Sequence, residues 1–416
     1  LIYFAERRRR RRRLPAVMLT TAILFIACQL PRGIATAAVL ELAEAEELGV
    51  ARDLPLQAAA LQAARYREQA AGDAQFADPQ LIVGYEDGYT MKEYTVGLRQ
   101  QIPRLNNLDL RRSIGQSLAA GEEYRSHLAA RAVLREVRLA WFDLWYRIRA
   151  VQVSRHHGAV LGELAAAAEE RYAAGSLSQQ QLLVLELEQR MQQDRLLAAR
   201  EREETARAEL ARLIGDLPAA RPLPEELPEL PALPSRQELL ASLPHHPVVR
   251  VVHSRVQAAQ EQAELAGQYY SGFMVDLLYR RNDQEEDRLG VMFTVPLPVG
   301  PGERQDRRQA AGRLQAEATV LERDNILRTL VGEVDSAFKR FDRLSERLQL
   351  YRQSIMPQSR LAAEATATGY QHNTEDFLNV MRAIVMELEN ELNQAQLQAD
   401  LAATHAALLY YQESEL

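Results

Sequence analysis

The segment "EVRLAWFDLW" at residues 136–145 returns about 197 residues later as "EVDSAFKRFD" at 333–342. Glu136 aligns with Glu333, Val137 with Val334, Ala140 with Ala337 and Trp141 with Phe338. The same offset relates "DLRR" at 109–112 to "DRR" at 306–308. An offset of about 198 relates Tyr172, Gly175 and Ser178 to Tyr370, Asn373 and Asp376. "QIP" ending at Pro103 answers "PLP" ending at Pro298, with a loop two residues longer in the second copy. Matches in one order along the chain mark an internal duplication, which governs the fold before any single motif does. The seam is "GDLPAARPLPEELPELPALPSR" at 215–236, with six prolines. Proline fixes φ and removes a donor, so this stretch reads as an extended linker. A first repeat then covers 38–214 and a second 237–416.

Each repeat reads alike. A helix of moderate length (about 52–74 and 246–268) precedes two strands (about 80–103 and 273–298). A long helix, a turn and a second long helix follow. "LIVGYED" at 81–87 and "YTVGLRQQIP" at 94–103 place Tyr94, Val96 and Leu98 on one face and Thr95, Gly97, Arg99 and Gln101 on the other. Phe273, Val275, Leu277 and Tyr279 alternate in the same way with Met274, Asp276, Leu278 and Arg280, and Leu289, Val291, Phe293 and Val295 continue the pattern. Period two with one apolar face predicts half-buried strands. Their length suits tilted transmembrane β-strands, although a small soluble sheet lying on the helices has the same pattern. Four strands per chain enclose no useful bore, and unpaired edges cannot face lipid. Strands that enter a membrane here must therefore share a barrel with other chains, and Arg99, Gln101, Asp276 and Arg280 become candidates for its polar lumen.

The helices are longer than any globular core needs. Residues 106–173 predict a rod of roughly 100 Å at 1.5 Å per residue, with Val133, Val137, Ala140, Leu144, Ile148 and Val151 at coiled-coil spacing. Pro357 predicts a kink or break in the counterpart helix. In "RYAAGSLSQQ" at 171–180, Gly175 supplies a left-handed residue that ends a helix, and Asn373 is its counterpart. Ser178 and Asp376 are expected as N-caps of the next helices, with Tyr172 and Tyr370 packing the turns.

Alanine, leucine, glutamate, glutamine and arginine dominate the 416 residues, and Lys92 and Lys339 are the only lysines. That composition points to long helices. Arg7–Arg13, an apolar run from Leu14 to Cys28 and the Ala35-Thr36-Ala37 exit read as a secretory signal peptide over 1–37. Cys28, the single cysteine, ends "LFIAC", which loosely resembles a lipobox, so acylation there competes with simple cleavage at the exit. Without residues 1–37, eight arginines and one glutamate are gone, leaving 42 basic against 56 acidic side chains. An acidic chain argues against a nucleic-acid partner. There is no phosphate-binding Gly-Lys-Ser/Thr loop, no HExxH, no CxxC and no Gly-x-Ser-x-Gly elbow, so an enzyme is not expected. The pairs His156-His157 and His245-His246 are adjacent on helices and diverge, which disfavours chelation, and neither a cofactor nor a metal is expected.

The duplication, "ADPQL" before the first strand, "QIP" and "PLP", "LAWFDLW", "IMPQ" and "RYAAGSLSQQQLL" together resemble the TolC-like outer-membrane efflux family over essentially the whole chain after residue 37. The resemblance implies a mainly α protein with a transmembrane β part. It implies a homotrimer whose four strands per chain close a twelve-stranded barrel in the outer membrane, above a helical tunnel crossing the periplasm. It also implies a periplasmic adaptor and an inner-membrane pump of the RND or ABC type as partners, with Tyr172, Gly175, Ser178, Tyr370, Asn373, Glu375 and Asp376 at the tunnel's gate. One departure stands out. The family often carries acidic residues nine and twelve positions after the turn tyrosine, where this chain has Asn379 and Arg382, and Gln181 and Val184. Glu375 and Asp376 could replace that ring, although Asp376 reads first as a helix cap. The expected function is passive export; the other reading is a periplasmic coiled-coil adaptor or scaffold that never enters lipid.

Overall fold

A computed structural model describes residues 39–412 except 90–91, 269–271, 283–286 and 373. Asn373, Cys28 and the signal segment therefore lie outside the described residues. In chain order the elements are α1 (Leu42–Arg52), α2 (Leu54–Asp73), β1 (Gln80–Asp87), β2 (Lys92–Pro103), α3 (Leu105–Ala173) and α4 (Gln179–Ile214). Then come α5 (Asp216–Ala219), α6 (Arg236–Ser242), α7 (Pro247–Ala266), β3 (Gly272–Asn282), β4 (Arg288–Thr294), α8 (Pro301–Leu350), α9 (Met356–Gln371) and α10 (Phe377–Leu409). The order helix, hairpin, long helix, turn, long helix thus occurs on both sides of the proline-rich stretch, which is extended after the single turn of α5.

α3 is one uninterrupted helix of 69 residues. Its counterpart departs from the expected break at Pro357. α8 runs into a π-helical turn at Tyr351–Ile355 and continues as α9, with Pro357 in that helix's first turn. A wider turn just ahead of the proline absorbs the missing N–H, so the helix changes pitch and keeps going. β4 ends at Thr294, short of the expected 298, because Pro296 and Pro298 cannot donate to a ladder.

Close helix contacts are made by glycine. A Cβ on Gly115 of α3 would sit 2.3 Å from the Cβ of Ala70 on α2, and one on Gly312 of α8 would sit 2.8 Å from the Cα of Ala263 on α7. Gly115 and Gly312 are separated by the repeat offset, so both halves seat their short helix on their long one in the same way. Midway along α3, Trp141, Phe142 and Leu144 are fully buried with Leu40, Leu210 and Ile214. Trp141 Nε1 donates to the Leu40 carbonyl and Trp145 Nε1 to that of Pro224, so the aromatic cluster ties the N-terminal segment and the linker to the rod. Among the described residues, no helix is long and apolar enough to cross a membrane.

Candidate functional site

Two regions stand apart from the packed rod: the sheet at one end and the paired turns at the other. The sheet is antiparallel, in the order β1-β2-β3-β4. Its register aligns Leu81, Leu98, Leu277 and Val291 in one row across all four strands. The adjoining row is Val83, Val96, Tyr279 and Leu289. These side chains share one face and all are exposed, Leu81 at 67 % and Val291 at 58 %. Tyr85 and Tyr94, ring centroids 5.0 Å apart, border this face towards the hairpin tips, and Phe273 and Phe293 border it towards the helices. Arg281, beside Tyr94 in the tyrosine row, lies 3.9 Å from Asp287, and beyond the tyrosines Asp87 lies 3.9 Å from Lys92.

The opposite face is polar. Arg99 donates from Nε and Nη2 to the two carboxylate oxygens of Asp276, at 2.7 and 2.8 Å, and Asp276 is fully covered. Arg280 lies 3.7 Å from Glu93 on the same face. Gln101 continues it one row towards the helices, opposite Met274. Between these rows Leu278 lies flat against Gly97, where a Cβ would meet it at 2.6 Å. The four residues expected from alternation thus share one face, and two of them, Arg99 and Asp276, are bonded partners on neighbouring strands.

At the far end, the first turn closes as expected for its residues. Gly175 has φ +73°, and the Ser176 N–H donates to the Arg171 carbonyl. Ser178 caps α4 in a reciprocal box with Gln181: the Gln181 N–H donates to Ser178 Oγ, and the Ser178 N–H donates to Gln181 Oε1. In the second turn the Gly369 carbonyl accepts from Thr374 N–H and Oγ1.

Two expectations need correcting. Asp376 occupies the N-cap position of α10 but its carboxylate caps nothing. It accepts instead from Gln181 Nε2 at 2.8 Å, across to the other hairpin. Gln181 therefore uses its amide oxygen at home and its amide nitrogen abroad. Tyr172 is exposed at 43 % and lies outside the apolar core of the tip, whereas Tyr370 stacks beneath the Arg171 guanidinium, 4.2 Å from its ring centroid, and against Phe377. Beneath them Leu161, Leu177, Leu185, Phe377 and Met381 form a small apolar core joining both hairpins. Glu375 stays at the surface and accepts from Asn379 Nδ2. Sequence reasoning missed Arg171 and Gln181 as partners across the tip. Both sit beside recognised turn residues, but nothing local marks a bond to a helix two hundred residues away.

The pair His245-His246 splits at the start of α7, where His246 is the extended N-cap residue rather than part of a helix as the sequence suggested. His245 contacts Arg250, while His246 places Nε2 on the Tyr410 carbonyl and accepts the Val248 N–H at Nδ1. Burial pushes the His246 imidazole down to about 4.

No protein-family model and no curated protein matches the sequence. Solved structures match it in fold. VceC, an outer membrane protein of Vibrio cholerae, aligns at TM-score 0.77 and 16 % identity, over 89 % of this chain and 95 % of its own. The CmeC outer membrane channel of Campylobacter jejuni aligns at 0.76 and 12 % identity, over 89 % and 85 %. The MtrE outer membrane channel of Neisseria gonorrhoeae, in its open state, aligns at 0.70 and 16 % identity, over 89 % and 88 %. The chain has the fold of an outer-membrane channel protomer.

Proposed function

We propose that this chain is one protomer of a homotrimeric outer-membrane exit duct, which passively conducts solutes out of a tripartite efflux or type I secretion system. The observation that carries the reading is the sheet. Four strands end with an apolar face exposed and with β1 and β4 as outer edges, at one end of helices about 100 Å long. In water such a face and such edges invite aggregation; in lipid the face is satisfied and the edges must be paired. Pairing β1 of one copy with β4 of the next does both, and three copies of four strands make twelve. The tyrosine and phenylalanine borders then fall where a membrane barrel carries its aromatic girdles. The face bearing Arg99, Gln101, Asp276 and Arg280 lines the bore.

The helices independently support association with a further copy. α3 is flanked by α2 on one side and α7 on the other. α8 packs on α7 but has no second short helix in the place that α7 takes on α3, leaving a groove of about 610 Å³ lined by Ala263, Gln309, Arg313, Ala316, Val320 and Leu321. By the logic of the repeat, its occupant is α2 of the next copy. That helix exposes Leu54 and Leu61, seven residues apart, as α8 exposes Leu314 and Leu321. At the tip, Gly175 and Ser178 shape the first turn, Asp376 and Tyr370 join the second to it through Gln181 and Arg171, and together they form the gate, with Tyr172 and Glu375 at its surface. A periplasmic adaptor docks there and an inner-membrane pump supplies the energy. No feature of the sheet favours an adaptor or scaffold, which has no use for an exposed apolar face.

The test is the native mass of protein extracted by mild detergent from separated outer membranes, followed by conductance in planar bilayers. Three chains and discrete conductance steps are expected. A monomer recovered from the soluble periplasm overturns the reading.

A further inference from the structure

We propose that Arg104, Arg111 and Arg308 form a cationic collar on the bore side of the duct, just below the barrel, and that this collar selects anionic solutes, those bearing carboxylate, sulfate or phosphate groups. The proposal rests on the channel reading above.

A helix in a single-layered tunnel wall has two faces against its neighbours, one face outward and one inward. On α3 both neighbours are fixed. Gly115 abuts Ala70 of α2. On the other side a Cβ on Gly121 would sit 3.3 Å from that of Ser254 on α7, and Ser113 donates to Glu261 of the same helix. Two stripes at seven-residue spacing remain. One descends through Asp109, Arg112 and Gln116 to Val133 and Val137, where α1 covers it with Leu42, Ala45 and Gly49. The other descends through Arg104, Arg111, Leu118, Arg125 and Ala132 to Leu139. Placed inside the tunnel, α1 would obstruct the bore, so the stripe it covers is the outer one and the second stripe faces in.

The duplication repeats both stripes. Val334, the counterpart of Val137, packs with Leu239 of α6, and Asp306 lies four seven-residue steps before it on the outer stripe. Arg308, Gln315, Glu322, Thr329 and Ser336 make the inner one. Leu139, Thr329 and Ser336 line one trough of about 620 Å³ with Ala403 and Ala407 of α10, so the inner stripes of α3 and α8 open on the same space.

Charge sorts by face. Outside, Arg112 is paired with Asp109. Inside, Arg125 is paired with Glu122, and Glu322 with Arg255. Arg104 donates to the neutral Gln268 at 2.9 Å, and Arg111 and Arg308 have no carboxylate within 4 Å among the described residues. All three are exposed. They fall within about 10 Å of the starts of α3 and α8 at 1.5 Å per residue. A cation near the start of a helix opposes the macrodipole, so helix stability does not account for these placements, and the dipoles add to the positive potential. In the sheet above, the charges on the bore face are matched within the protomer, Arg99 by Asp276 and Arg280 by Glu93. Three copies thus gather their unmatched guanidinium groups in one band, in a chain that is acidic overall after residue 37. Arginine rings in a pore favour anions, because walls of one sign concentrate ions of the other.

The experiment is the reversal potential of the purified trimer in planar bilayers under a KCl gradient. The chains compared are the wild type, the double variant Arg111→Gln/Arg308→Gln, and Arg112→Gln as the outer-face control. Wild-type permeability is expected to favour chloride over potassium severalfold near 0.1 M salt. The preference should weaken at 1 M, where the Debye length shrinks from about 10 to about 3 Å. The double variant should bring the ratio towards one, with trimer mass and helical circular dichroism unchanged, and Arg112→Gln should keep the wild-type ratio. Should the double variant fail to assemble, either single variant carries the same test with a smaller shift. A wild type that prefers potassium or shows no preference overturns the collar, as does a double variant that keeps the full ratio. Equal loss in Arg112→Gln overturns it too, because the outer stripe would then matter as much as the inner. A trimer that conducts under no condition overturns the channel reading instead.

Discussion

Leu98→Arg tests the membrane reading at its most sensitive point. Leu98 lies midway along the apolar face, four residues from Tyr94 at one border and four from Ile102, the partner of Phe273, at the other. Its neighbours in the row are Leu81 and Leu277. Val96 is one pleat nearer the tyrosines, where an arginine could reach headgroups, so Leu98 is the harsher site. An arginine on the lipid face at the bilayer midplane costs about 2–4 kcal/mol. Three copies in one barrel bring this to roughly 6–12 kcal/mol, with each single arginine already worth roughly a 30- to 1000-fold change in equilibrium. The assay is the fraction of urea-resistant trimer after refolding into liposomes, alongside the amount recovered in outer membranes. The control is Gln101→Arg, three residues along the same strand on the opposite face, where a charge meets water. Leu98→Arg should abolish the folded trimer, and Gln101→Arg should leave it intact while altering conductance. Equal recovery of both variants, or equal loss, would refute the assignment of the two faces.

Two further outcomes follow from the packing. Gly115→Ala should destabilise by about 1–3 kcal/mol, because the added methyl forces α2 from α3. Gly162→Ala, on the same helix with nothing within 4 Å, should stabilise by up to about 1 kcal/mol; thermal denaturation showing shifts of one sign for both would remove the close-contact explanation. His246 adds an acid liability. Unfolded chains take up its proton near 6.5, whereas the folded protein refuses it until about 4, so stability present above pH 6.5 declines as pH falls through that window. The loss is on the order of 3 kcal/mol at 1.36 kcal/mol per unit. His246→Gln should flatten the dependence of urea midpoint on pH between 6.5 and 4, and an unchanged slope would show that the site contributes nothing.

Much of this architecture is local in origin and was therefore legible in the residues. The β2 and β3 alternation sorts Arg99, Gln101, Asp276 and Arg280 onto one face because the pleat has period two. Gly175 and Ser178 end one helix and start the next through bonds spanning three to five residues. The repeat placed Gly115 and Gly312 in register without revealing what either touches. Cross-chain partners were out of reach. Asp376 and Ser178 look equivalent in the aligned repeats, yet Ser178 caps its own helix and Asp376 bonds Gln181. That choice depends on how two long helices are phased against each other, which small departures from 3.6 residues per turn accumulate over dozens of residues. The same phasing sets Arg171 over Tyr370, leaves Tyr172 in solvent, and brings His157 to Glu391 across 234 positions of sequence. Sequence alone determined which segments form rods, turns and two-faced strands, because those follow from neighbours a few residues apart. Only the tertiary structure decided which strand faces stay uncovered and which side chains lock the hairpins, because those follow from where distant segments meet.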